Sequence, residues 1–145
     1  MIVYADASLL VKRYLAEAGS EQVDTLLAPP TLAGTAVVTR AEVSAALGKA
    51  VRLGALTRAA AGRSLDEFRS HWPNYLRLRL NESVVARADE LAWEHGLRGY
   101  DAIHLAAALT WQAGLDEPLA LATFDRQLWQ VGPSVGLAVW PEELP

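Results

Sequence analysis

Ile2-Val3-Tyr4-Ala5-Asp6-Ala7-Ser8 is a short apolar run that stops at an acid. Four apolar residues in a row, too few for a helix, read as a buried strand from Ile2 to Ala5. The spacing of Leu9, Leu10, Tyr14 and Leu15 then puts one apolar face on a helix over Ser8 to Ala18. The same order of strand and helix recurs to the end of the chain. Ser20 to Leu27 reads as a second helix, capped by Ser20 and stopped by Pro29-Pro30. Thr35 to Thr39 (TAVVT) reads as a strand, and a helix from about Ala41 to Leu53 follows, closed by Gly54. Thr57 starts a helix to about His71, and Tyr75 to Leu80 alternates apolar and basic residues as strands do. Asn81 caps a helix to Glu94 or His95, which Gly96 ends. Tyr100 to Trp111 is a further helix, Leu119 to Thr123 (LALAT) a strand, Asp125 to Gln130 a short helix and Leu137 to Trp140 a last strand. This order, β-α-α-β-α-α-β-α-α-β-α-β, predicts one α/β domain over residues 1–145 with a mostly parallel sheet and right-handed crossovers.

Open sheets of this kind bind ligands beyond the carboxyl ends of their strands. Asp6 directly follows the first strand, Glu42 falls in the first turn after the second, and Asp125 lies just past LALAT. Asp101 opens the Ala-rich helix. Each acid taken alone is explained by helix capping and the helix dipole. Several carboxylates gathered at one sheet edge repel one another, and a bound cation offsets that cost. Oxygen-only ligands suit Mg²⁺ or Mn²⁺. Two such ions about 3.5–4 Å apart would clamp the attacking and leaving oxygens of a phosphodiester.

These residues fall into a recognisable series. Val3-Tyr4-Ala5-Asp6-Ala7-Ser8, Thr39-Arg40-Ala41-Glu42-Val43, Tyr100-Asp101-Ala102-Ile103-His104-Leu105-Ala106 and Leu121-Ala122-Thr123-Phe124-Asp125 resemble, in order, the motifs of the PIN-domain nucleases. The resemblance covers essentially the whole chain and is closest to the small VapC-type toxins of toxin–antitoxin pairs. It implies an α/β PIN-like domain with a parallel sheet of about five strands in the order 3-2-1-4-5. It also implies a metal-dependent endoribonuclease that uses Asp6, Glu42, Asp101 and Asp125 with Mg²⁺ (or Mn²⁺), and Ser8 and Thr123 as supporting hydroxyls. The implied partners are an RNA substrate, a cognate antitoxin and a second copy of the chain.

Lys12, Arg13, Arg40, Arg98 and Arg126 flank the motifs and are candidate contacts to RNA phosphates; the alternative is that they are solvated cations offsetting nearby acids. His104, one turn from Asp101, reads as a packing histidine among Ile103, Leu105 and Ala106. His71 and His95 sit at helix ends, where capping explains them.

Composition narrows the function classes. The chain has 145 residues, 52% hydrophobic and 21% charged, no cysteine, and 13 basic against 17 acidic residues for a net charge of −4. The lack of cysteine excludes disulfides, thiolate zinc sites and a thiol nucleophile. The acidity disfavours a simple nucleic-acid binder, although setting aside four acids for a metal site leaves the remainder neutral. No apolar run reaches the ~18 residues of a membrane span, and Met1 to Asp6 lacks the basic start of a signal peptide, so a cytoplasmic protein is expected. Dinucleotide binding is disfavoured because there is no G-x-G-x-x-G loop. A receiver-like phosphoryl-transfer domain would usually place a lysine near the phosphoryl group, and the only lysines are Lys12 and Lys49. A non-catalytic PIN interaction module is the remaining alternative.

Overall fold

Strand β1 (Ile2–Ala5) is the centre of the sheet, with all four residues buried. In the computed structural model, which describes residues 1–144, β1 pairs in parallel with β2 (Leu32–Ala36) on one side and β4 (Leu119–Ala122) on the other. β3 (Leu76–Leu78) lies outside β2, and β5 (Ala138–Trp140) outside β4. The order is therefore β3-β2-β1-β4-β5, parallel throughout, as the sequence motifs imply. Strand residues alternate between two cores, as the pleat requires. Ile2 and Tyr4 join the core formed with α5 (Glu82–His95), α6 (Gly99–Ala113) and α7 (Arg126–Val131). Val3 and Ala5 join the core formed with α1 (Ala7–Tyr14), α2 (Ser20–Leu27), α3 (Thr39–Arg52) and α4 (Arg58–His71). Burial on both faces is why the strands read as continuous apolar runs. Among the described residues, no helix is long and apolar enough to cross a membrane.

Three expectations are corrected. β2 occupies Leu32–Ala36, three residues before TAVVT. Val37 and Val38 form the turn, Thr39 is the first helical residue, and a Thr35–Thr39 hydroxyl bond of 2.7 Å closes it. Helix α1 stops at Tyr14 rather than Ala18, because Ser20 Oγ donates to Lys12 O (2.6 Å) and the chain reverses through Gly19 at φ +95°. Ser20 is thus the first residue of α2 and ties down the end of α1, and Gly19 takes the cap position. The third strand is confined to Leu76–Leu78 within the expected 75–80. The other boundaries agree to within about two residues, and Thr57, Asn81 and Gly96 cap the helices the sequence assigns them.

Candidate active site

The parallel sheet sends the ends of β1, β2 and β4 to one edge, and each meets a helix N-terminus there. Asp6 caps α1: its Oδ1 accepts from Leu9 N at 2.9 Å. Ser8 Oγ donates to Oδ1 at 2.7 Å, and Thr123 Oγ1 donates to Oδ2 at 2.6 Å. Asp6 is only 3% exposed. Burial pushes its carboxyl pKa up; the charge of His104 and the bonds from Thr123, Ser8 and Leu9 oppose that shift without cancelling it. Among the described residues Asp6 has no ion-pair partner.

Asp125 caps α7 in the same way, with Oδ1 accepting from Leu128 N at 2.9 Å. Its own N–H donates to Thr123 Oγ1 at 3.0 Å, while Phe124 N donates to Ser8 Oγ at 2.9 Å. The hydroxyls of Ser8 and Thr123 therefore tie the end of β1 to the end of β4. The fully buried Thr123 hydroxyl both donates to Asp6 and accepts from the Asp125 backbone.

Asp101 reaches this edge from the first turn of α6. Arg98 Nε donates to Asp101 Oδ2 and Arg98 Nη2 to Asp125 Oδ2, both at 2.9 Å. One guanidinium thus bridges two of the acids, while its side chain stays 75% exposed. Glu42, in the first turn of α3, meets His104 Nε2 at 2.7 Å, and His104 Nδ1 meets Tyr4 Oη at 2.8 Å. Burial would push His104 down, but the bond to Glu42 and the charges of Asp6, Glu42 and Asp101 outweigh it and hold its pKa above the ordinary value. His104 thus engages Glu42 through Nε2 and Tyr4 through Nδ1, one partner on each ring nitrogen. Burial first, and then the charge of Asp6, raises the Tyr4 phenol, so it stays protonated.

His104 is buried as expected but is more than packing: it links Glu42 to the central strand. Tyr4 was missed altogether. The available signal was spacing, since Tyr4 lies two residues before Asp6 on β1 and His104 lies one turn after Asp101 on α6.

The flanking cations divide. Arg98 lies among the acids. Lys12 bonds Glu17 (3.2 Å) and Ala18 O (2.8 Å) and sits 4.7 Å from the centre of the Phe124 ring. Arg13 donates to Tyr75 Oη at 3.1 Å and lies 3.9 Å from Asp24. Both are thus tied to groups other than the four acids. Arg126 is exposed in the first turn of α7, and Arg40 is exposed beside a separate cavity.

A cleft of about 590 Å³ opens here, lined by Glu42, Arg98, Gly99, Tyr100, Asp101 and Ile103. Asp125 reaches its rim through Arg98. Among the described residues, no three His, Asp or Glu side chains are gathered tightly enough to form a ready metal cage. The donors nonetheless fit a hard divalent cation. They are oxygens, Asp6 is buried with only neutral donors bonded to it, and Asp101 and Asp125 already share one positive group. Mg²⁺ needs only one or two protein carboxylates and fills its other positions with water and substrate oxygens.

The PIN domain family model matches residues 3–132. The chain is 34% identical over 143 residues to ribonuclease VapC45 of Mycobacterium tuberculosis strain CDC 1551 / Oshkosh, covering 99% of this chain and 97% of that protein. The same figures hold for ribonuclease VapC49 of M. tuberculosis strain ATCC 25618 / H37Rv. The fold superposes on a toxin–antitoxin complex from Klebsiella pneumoniae with a TM-score of 0.70, at 18% identity over 99% of both chains.

Proposed function

The chain belongs to the PIN-domain family, and on that premise we propose that it is a metal-dependent endoribonuclease, the toxin of a toxin–antitoxin pair acting in the cytoplasm. The observation that supports this reading is the linkage of Asp6 to Asp125 through Thr123 and of Asp125 to Asp101 through Arg98 at the carboxyl edge of the sheet, with Asp101 and Glu42 lining one cleft. The identity to two VapC ribonucleases over nearly the full length supports RNA as the substrate.

Asp6, Glu42, Asp101 and Asp125 would hold Mg²⁺ or Mn²⁺. When bound, the ion supplies positive charge against the phosphodiester oxygens and lowers the pKa of a water. The chain's own part is positioning. Asp6 is locked by three donors, so its carboxylate keeps one orientation. Thr123 holds Asp6 and the start of α7 in register. His104 fixes Glu42, and Tyr4 fixes His104. Arg98 offsets part of the charge of Asp101 and Asp125, and its exposure leaves it free to meet a substrate phosphate instead. A cognate antitoxin would act by covering this cleft, a partner class supported by the matching Klebsiella complex, and a second copy of the chain is the further expected partner.

The test is cleavage of transfer RNA and a structured messenger fragment in Mg²⁺, in Mn²⁺ and in chelator. Wild type is expected to cut only with metal. Asp101→Asn is expected to keep its fold and lose cutting, and cutting at the wild-type rate by that variant would overturn the assignment of the site.

A further inference from the structure

Beside the acid cleft, three arginines converge on a second cavity of about 440 Å³. It is lined by Arg40, Arg77 and Arg79 with Val37 and Trp72. Arg77 lies on β3, in register with Thr35 of β2, and Arg79 follows one residue past the strand's end. The period of two puts both on one face of the strand. Arg40 comes from a different element, the first turn of α3, two residues before Glu42. Val37 N donates to Leu78 O at 3.0 Å, which fastens the turn before α3 to the end of β3 and brings the three side chains together. All three are exposed, and among the described residues none forms an ion pair.

Charged side chains on an outer strand also discourage pairing with another sheet, which would account for Arg77 and Arg79. It does not account for Arg40, which arrives from a helix and adds a third like charge to the same cavity. Like charges gathered without a partner carry a repulsive cost that an anion relieves. In a chain of net charge −4 this concentration of cations is local. Val37 and Arg40 belong to the turn after β2 and the first turn of α3, the segment that also carries Glu42, so the cavity lies at the same end of β2 as that acid. We infer that Arg40, Arg77 and Arg79 form a subsite for RNA backbone phosphates flanking the bond that is cut. The inference rests on the nuclease reading above and adds to it the direction in which the strand leaves the cleft.

The test measures binding of a single-stranded RNA against salt concentration, in chelator, on the Asp101→Asn background so that no RNA is cut. Arg77→Gln/Arg79→Gln is compared with Arg58→Gln/Arg63→Gln, which removes the same charge from α4. For single strands, log K falls with log salt by about 0.7 per neutralised phosphate, so the first pair is expected to flatten the slope by about 1.4. The α4 pair is expected to leave the slope as it was. Equal slopes for all three proteins, or equal flattening by both pairs, overturn the subsite. Flattening with duplex DNA but not with RNA overturns its assignment to RNA. Wild-type cleavage run alongside separates the two readings. Cutting with unchanged slopes removes the subsite alone. A flattened slope without cutting keeps an RNA-binding subsite and removes the nuclease. Absence of RNA binding by every protein removes both.

Discussion

Thr123 shows how one hydroxyl does two jobs at a site. It is fully buried, gives its hydrogen to Asp6 and takes one from the Asp125 backbone. Thr123→Val keeps the shape but leaves both partners short of a bond, at a cost of about 1–3 kcal/mol for each buried group left unpaired. Groups that orient metal ligands are typically worth roughly 10–100-fold in activity or metal affinity. The variant should therefore remain folded and cut RNA roughly 10–100-fold more slowly; wild-type rates would mean that Asp6 needs no such support. His104 makes the complementary case. His104→Phe fills the space but strips the Glu42 and Tyr4 partners at once, and urea unfolding should show a loss of about 2–4 kcal/mol. Equal stability would show that water replaces both bonds without cost. Neither role is visible in a residue's own letter. The family motif names Thr123 as a supporting hydroxyl without saying what it bonds, and a His in an Ala-rich helix looks like an ordinary core position until the helix is placed beside its partners.

At the level of elements, the most legible segments were those with local punctuation. Asn81 and Gly96 bound α5 because a side-chain cap and a left-handed glycine are local chemistry. β1 was legible because a buried strand declares itself in four apolar letters. β2 was misplaced because its decisive contact is distant. Val37 and Val38 carry the stronger strand propensity, yet the strand runs through Leu32-Ala33-Gly34, where Gly34 lies under Trp111 of α6. A Cβ at position 34 would stand 2.5 Å from the Trp111 ring, so only glycine lets the helix settle on the sheet there. Gly34→Ala should cost about 1–3 kcal/mol by overpacking, read from the denaturation midpoint. A neutral result would mean that Trp111 can turn aside. The end of α1 was misjudged for a related reason, since the bond from Ser20 back to Lys12 O is a tertiary choice made against continuing the helix. Lys12 and Arg13 follow from it, because the early turn commits them to Glu17, Ala18, Tyr75 and Asp24 rather than to the acids.

For the whole molecule, the sheet order and the gathering of the acids belong together. A parallel sheet ordered 3-2-1-4-5 brings the ends of β1, β2 and β4 side by side, and the chain puts Asp6 and Asp125 close behind two of them and Glu42 in the first turn of the helix that follows β2. That arrangement opposes stability when no cation is present, because burial and mutual charge both disfavour carboxylates held close together. Arg98 relieves part of the strain between Asp101 and Asp125. Its side chain is largely exposed, and such pairs contribute no more than about 1 kcal/mol. A divalent cation should therefore stabilise the native chain well beyond its effect on ionic strength. An ion present at 100 times its Kd adds about 2.7 kcal/mol, which for a domain of this size is roughly 5–10 °C in Tm. Millimolar Mn²⁺ or Mg²⁺ should raise the Tm of wild type on that scale, while monovalent salt of matched ionic strength should not. The rise should shrink in Asp101→Asn, which lacks one of the four charges. A rise of the same size in that variant would trace the effect to general screening, and no rise in wild type would mean that the acids bind a metal only once RNA has brought its own oxygens to the cleft.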